Sequence, residues 1–170
     1  MRADRTVLWH RVLRPTPRSL KDVERLRNLR DQLCDVLPPG PFVAAVEGYA
    51  IRALNRPYAT GEWGGVARLA LLEAGCAACI VPPLTLKAHA TFHGLAEKET
   101  MIARARHLYD YTGKDDNESD ALHLAAFAAD WWRPGPDLNR KQVAAIKKAE
   151  PMFPPPFARP LPVTRQRTRL

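Results

Sequence analysis

Short apolar runs alternate with longer segments of helical periodicity along this chain. Residues 6–13, TVLWHRVL, predict a strand. A turn-rich RPTPRS follows, and Ser19 is placed to cap a helix carrying Val23, Leu26, Arg30 and Leu33 at helical spacing. PPGP stops that helix. FVAAV, from Phe42 to Val46, predicts a buried strand that ends on Glu47. A glycine-punctuated segment leads into a helix over 61–74, closed by Gly75 as its C-terminal cap. A short strand over 79–81 is broken by Pro82 and Pro83, and the stretch holding Lys87, His89 and His93 reads as a loop. Two more helices are expected: 97–108, with Met101, Ile102, Ala105 and Leu108 as its stripe, and 117–131. Strands alternating with helices imply an α/β fold, and no internal repeat interrupts the pattern.

Composition divides the chain unevenly. At 170 residues and 46% hydrophobic it fits one domain with a short appendage. The net charge of +8 is concentrated at the C-terminal end: residues 131–170 hold nine Lys or Arg and two acids. We therefore expect one domain over 1–132 and a basic, proline-rich extension over 133–170. Its last part, 151–170, is a tail that is either solvated or in contact with nucleic acid. The basic surplus points to a polyanionic partner more readily than to an acidic small molecule. No apolar run reaches the roughly 18–20 residues that cross a bilayer, and the opening residues lack a signal-peptide pattern. Three cysteines form no closed disulfide set, so a cytoplasmic setting is expected. Cys76 and Cys79 form CxxC, but no second Cys or His pair at zinc spacing accompanies them.

The candidate chemistry sits in three places: Glu47 at a strand end, the run Asp115, Asp116, Asn117, Glu118 and Asp120 at a helix start, and the lysines Lys87 and Lys98 between them. Carboxylates delivered from separate elements can hold one or two divalent ions, and such ions activate water against a phosphodiester. Asn117 and Asp120 share one helix face at i and i+3. The competing account is electrostatic: acids gather at helix starts because the helix dipole favours them.

Taken in order, the pieces VERLRNLRDQL, VAAVEGYA, GEWGGVARLALLEAG, VPPLTLKAHAT, GLAEKETMIARA and DDNESDALHLAAFA make the chain resemble, over residues 6–130, the RuvC-type Holliday junction resolvases. These belong to the ribonuclease H-like superfamily, and the likeness is greatest to phage-borne members. The resemblance implies a ribonuclease H-like mixed sheet flanked by helices. It also implies a homodimer that binds four-way DNA junctions and nicks two opposing strands with Mg²⁺, for which Mn²⁺ can substitute. Glu47 matches the glutamate at the end of the family's fourth strand, and Asp120 its final catalytic aspartate. Asn117 stands where the family often has Asp or His; it can ligate through its carbonyl oxygen but brings no charge, and Asp116 or Glu118 can stand in. Lys98 matches a basic position near the scissile phosphate. Family members open with a strand carrying a first catalytic aspartate. Here the chain opens at what reads as the second strand, and Asp4 does not take that role. The expected sheet is therefore N-terminally incomplete, either because the natural protein starts upstream or because this is a truncated remnant.

The expected catalytic residues are Glu47, Asp120, Asn117 and Lys98, with Glu47, Asp116, Asn117 and Asp120 as metal ligands. Lys98 has a structural alternative, pairing with Glu97 or Glu99. Lys87, Arg52 and Arg56 are candidate phosphate contacts or plain surface charges. Tyr49 can stack on an unpaired base or sit as a half-buried aromatic. The expected function is metal-dependent cleavage of branched DNA. The alternatives are a catalytically impaired junction-binding protein and a related nuclease acting on other branched structures.

Overall fold

The structure is a computed structural model that describes residues 7, 11–49 and 57–153. In chain order these form α1 (Asp22–Val36), β1 (Val43–Glu47), α2 (Pro57–Glu73), β2 (Ala77–Val81), α3 (Pro83–Thr91), α4 (Lys98–Tyr109), α5 (Asp116–Trp132), α6 (Arg140–Ile146) and β3 (Glu150–Pro151). β1 and β2 are parallel, with Glu47 opposite Val81, and β3 pairs antiparallel with β2 at Cys79 and Ile80. The result is a mixed three-stranded sheet with helices around it, as the α/β reading requires.

Strand periodicity sorts the core into two layers. Ala44, Val46 and Ala78 pack on one face with Leu71 and Cys76, covered further by Leu37, Phe42, Met152 and Phe153. Ala45, Cys79 and Val81 face the other way, against Leu86, Ala90, Met101, Phe127, Ala145 and Ile146. A parallel pair covered on both faces needs such nearly continuous apolar sequence, which VAAVE and AACIV supply. α5 lies along β1 and carries the fully buried Phe127 into the second layer.

Several elements differ from expectation. The described part of 6–13 contains no strand, and the remainder lies outside the described residues. α1 starts at Asp22 after Lys21, with no side-chain cap, so Ser19 does not cap it. Its buried residue is Leu29, whereas Val23 is exposed. Pro82 and Pro83 end β2 but also begin α3, because proline suits a helix's first turn, where its missing N–H would have no partner. Lys87 and His89 are therefore helical. His89 is buried, with Nε2 at 3.0 Å from an Asp130 carboxylate oxygen on α5. His123, on α5, is also buried; its Nε2 lies 3.0 Å from the Met101 carbonyl.

Residues 140–153 lie within the stretch that composition assigned to the extension. Asn139 closes a capping box with Gln142 at the start of α6. α6 then places Ala145 and Ile146 in the core, and Lys141 and Gln142 donate to the Phe92 and His89 carbonyls on the α3 side. Residues 154–170 lie outside the described residues.

Candidate active site at the carboxyl end of the first strand

Glu47 ends β1, and the next N–H, of Gly48, donates to the Val81 carbonyl at 2.8 Å. That bond carries the pairing one residue past the strand and fixes the direction in which the chain leaves it. Asp120 stands on the second turn of α5, which packs along the same strand. The charge of Asp120 acts on Glu47. Glu47 opens to solvent on one side, yet enough protein surrounds its carboxyl to push its pKa up, and the charge of Asp120 adds to the effect while Lys87 opposes it. Asp120 is raised likewise, first by burial and then by Asp116, with Lys87 and Lys98 opposing.

The start of α5 is fixed by Asp115, which the sequence offered only as one acid of a run, and by Tyr111, which it did not single out. Asp115 is the N-cap; its side chain accepts from the N–H groups of Asn117 at 2.8 Å and Glu118 at 3.2 Å. Tyr111 is buried beneath the loop. Its hydroxyl donates to the Glu118 carboxylate at 2.8 Å and accepts from the Asp115 N–H at 3.1 Å. The Asp-x-x-Glu spacing at 115–118 was a legible cap signal; the pin from Tyr111 has no local signature.

The other expected site residues divide. Lys98, the first residue of α4, forms an ion pair with Asp116, which holds the Asp116 carboxyl below its ordinary range. The alternative pairing with Glu97 or Glu99 is not the one formed. Lys87 donates to the Ala96 carbonyl at 2.7 Å, so its ammonium is anchored while it still acts on both Glu47 and Asp120. The side chain of Asn117 is exposed. Tyr49 is 44% exposed and packs against α2. Arg52 and Arg56 lie outside the described residues.

Burial and neighbouring acids disfavour the charged form of both carboxylates, a penalty that a hard cation would offset, and Mg²⁺ binds through one or two carboxylates plus waters and substrate phosphates. Glu47 and Asp120 therefore fit such an ion. Among the described residues no group of three or more His, Cys, Asp and Glu forms a ready metal cluster. Away from the site, burial pushes the Cys76 and Cys79 thiols up to about 11 and about 12, so both are neutral at physiological pH.

No family model matches the sequence, and no curated protein aligns with it significantly. The fold, however, matches solved structures. Thermus thermophilus RuvC superposes with a TM-score of 0.61 at 22% identity, over 86% of this chain and 82% of that one. The same organism's RuvC in complex with a Holliday junction substrate superposes with a TM-score of 0.62 at 20% identity, over 86% and 83%. The chain has the fold of RuvC. In this RuvC-like, ribonuclease H-type frame, Glu47 closes a parallel strand beside a helix that delivers Asp120. Among the described residues no helix is long and apolar enough to cross a membrane.

Proposed function

We propose that this protein is a metal-dependent, structure-specific endodeoxyribonuclease that resolves four-way or branched DNA junctions. The observation that carries the reading is the placement of Glu47 at the end of β1 and Asp120 on the helix packed along that strand, with Lys87 and Lys98 acting on Asp120, in a RuvC-like fold. Glu47 and Asp120 are the proposed ligands of Mg²⁺ or Mn²⁺, with Asp116 or Asn117 assisting. A bound divalent ion there would polarise the phosphate and favour ionisation of an attacking water. The chain's own groups do the rest. Lys87, held by the Ala96 carbonyl, keeps a fixed positive charge beside both acids. Lys98 is the proposed partner of the scissile phosphate, exchanging Asp116 for the DNA. Hydrolysis adds one water across a P–O bond and leaves a 5′-phosphate and a 3′-hydroxyl. Tyr49, Arg52 and Arg56 are the proposed additional DNA contacts.

A homodimer and a cytoplasmic setting belong to the same reading. In support of the first, α2 presents Leu69 and Leu72 to solvent, together with open space at Gly61 and Gly65. In support of the second, all three cysteines are free thiols.

A second reading has its own support. Asp116 is already paired with Lys98, Asn117 carries no charge, and the described residues form no larger acidic cluster. On that reading the protein recognises junctions without cutting them. The deciding experiment is incubation of a labelled four-way junction with the protein in Mg²⁺ or Mn²⁺, beside linear duplex and the Glu47→Gln variant. Paired nicks lost in Glu47→Gln support the nuclease. Junction binding without nicks supports the second reading, and absence of any preference for the junction over linear duplex overturns both.

A further inference from the structure

Tyr49 lies two residues past Glu47, and α2 is shaped around it. Its hydroxyl donates to the Gly61 carbonyl at 3.0 Å. The guanidinium carbon of Arg68 lies 4.5 Å from the ring centroid, within cation–π range. A Cβ at Gly64 would stand 2.6 Å from the Tyr49 hydroxyl oxygen and 2.9 Å from Cε1, closer than real packing allows. Gly61 and Gly65 have open space where a Cβ would go. Glycine weakens a helix interior wherever it occurs, so Gly64 is the one of the three whose missing side chain is answered by a contact. The missing side chain there leaves room for the tyrosine ring. The Nε of Arg68 is buried without a hydrogen-bond partner, which costs free energy unless the ring face compensates.

These contacts restrain a side chain that nonetheless stays 44% exposed. An aromatic kept at the surface in one orientation has already lost the rotamer freedom that binding would otherwise remove. Every nucleobase has a π-face, so such a ring accepts an unpaired base whatever its identity. We propose that Gly64 and Arg68 are positioning residues that hold Tyr49 as a rigid stacking platform for an unpaired base at a DNA branch point. This rests on the junction-directed reading above and adds how one contact of that site is built. Arg68 backs the ring and Gly64 sets its height over α2. The preference so produced is for an unstacked base and not for a sequence.

The test compares affinity for two four-way junctions in Ca²⁺, one with ordinary bases at the branch point and one abasic there. The wild type is expected to favour the base-containing junction by roughly 5- to 150-fold, the range that base–aromatic stacking supplies. Tyr49→Ala is expected to bring that ratio to about one. Gly64→Ala and Arg68→Met, with melting curves checked against wild type, are expected to lower it several-fold although Tyr49 is intact. The ratio is informative because a general loss of charge or stability weakens both junctions together. If Gly64→Ala does not fold, Arg68→Met decides alone. A wild-type ratio near one, or a full ratio in folded Gly64→Ala or Arg68→Met, overturns the platform while junction binding itself stands. Failure of the wild type to prefer any junction over linear duplex removes the functional reading and the platform with it.

Discussion

Replacing Asp115 by alanine tests whether the start of α5 is held as the structure describes. The substitution removes the acceptor for the Asn117 N–H at 2.8 Å and the Glu118 N–H at 3.2 Å. Loss of an N-cap costs about 1 kcal/mol, within a range of roughly 0.5–2. Loss of a negative charge at the helix N-terminus adds about 0.3–1 kcal/mol at low salt. The two effects overlap, so the expected total is roughly 1–2 kcal/mol. For a chain of this length each kcal/mol moves Tm by about 2–4 °C, which predicts a fall of roughly 2–8 °C by circular dichroism. Asp115→Asn separates the two contributions. Asparagine caps as well as aspartate, so that variant should lose only the charge part, and most of that should disappear in high salt. The functional consequence follows from position: Asp120 sits five residues into the helix, and a frayed first turn loosens its placement against Glu47. Divalent-ion affinity should therefore fall more in Asp115→Ala than in Asp115→Asn. Equal Tm losses for the two variants at high salt, or no loss for alanine, would refute the capping argument.

Other predictions follow from the same geometry. In the absence of divalent metal, Glu47→Gln should raise Tm at pH 8. The folded-state pKa of Glu47 is raised, so the folded protein holds that proton more tightly than the unfolded chain, and stability is lost as pH climbs through the window above the ordinary glutamate value. The gain should vanish as pH falls well below about 4, where glutamate is protonated in both states, and a lower Tm at pH 8 would contradict the assignment. His123 is shifted the other way, its burial disfavouring the imidazolium. Its contribution to stability should be lost as pH falls below about 6.5, and its ring resonances by NMR should titrate below that value. Phe127 is fully buried between the sheet and its covering helices. Phe127→Ala should cost about 3–5 kcal/mol, measured by urea unfolding; a cost below about 1 kcal/mol would mean that the core layer is not packed as described.

What the sequence made legible was local, and what it concealed depends on contacts between distant residues. The run FVAAVE declared a strand ending in an acid because side chains on both of its faces pack against the core, although each is only partly buried where a fully buried strand was expected. Gly75 was readable as a helix end because its φ of +64° suits glycine above other residues. α3 was hidden because Pro82-Pro83 has the same appearance whether it ends a strand or opens a helix, and the second function shows only when the helix is seen to pack. The buried His89–Asp130 contact joins residues 41 apart in sequence, a separation at which no spacing rule operates. α6 was obscured by composition: Arg140, Lys141 and the prolines beyond the helix placed it in a basic extension, although Asn139 and Gln142 already held the spacing of a capping box. The candidate site follows the same rule. Glu47 and Asp120 were each visible from their own segments, but the packing that brings their elements together is tertiary. α5 lies along β1, Tyr111 pins the loop before α5, and Lys87 is anchored by a carbonyl nine residues away. Chemistry at this strand end therefore depends on residues that never touch the ions or the DNA, and variants in Tyr111 and Asp115 should reveal it as directly as variants in the carboxylates.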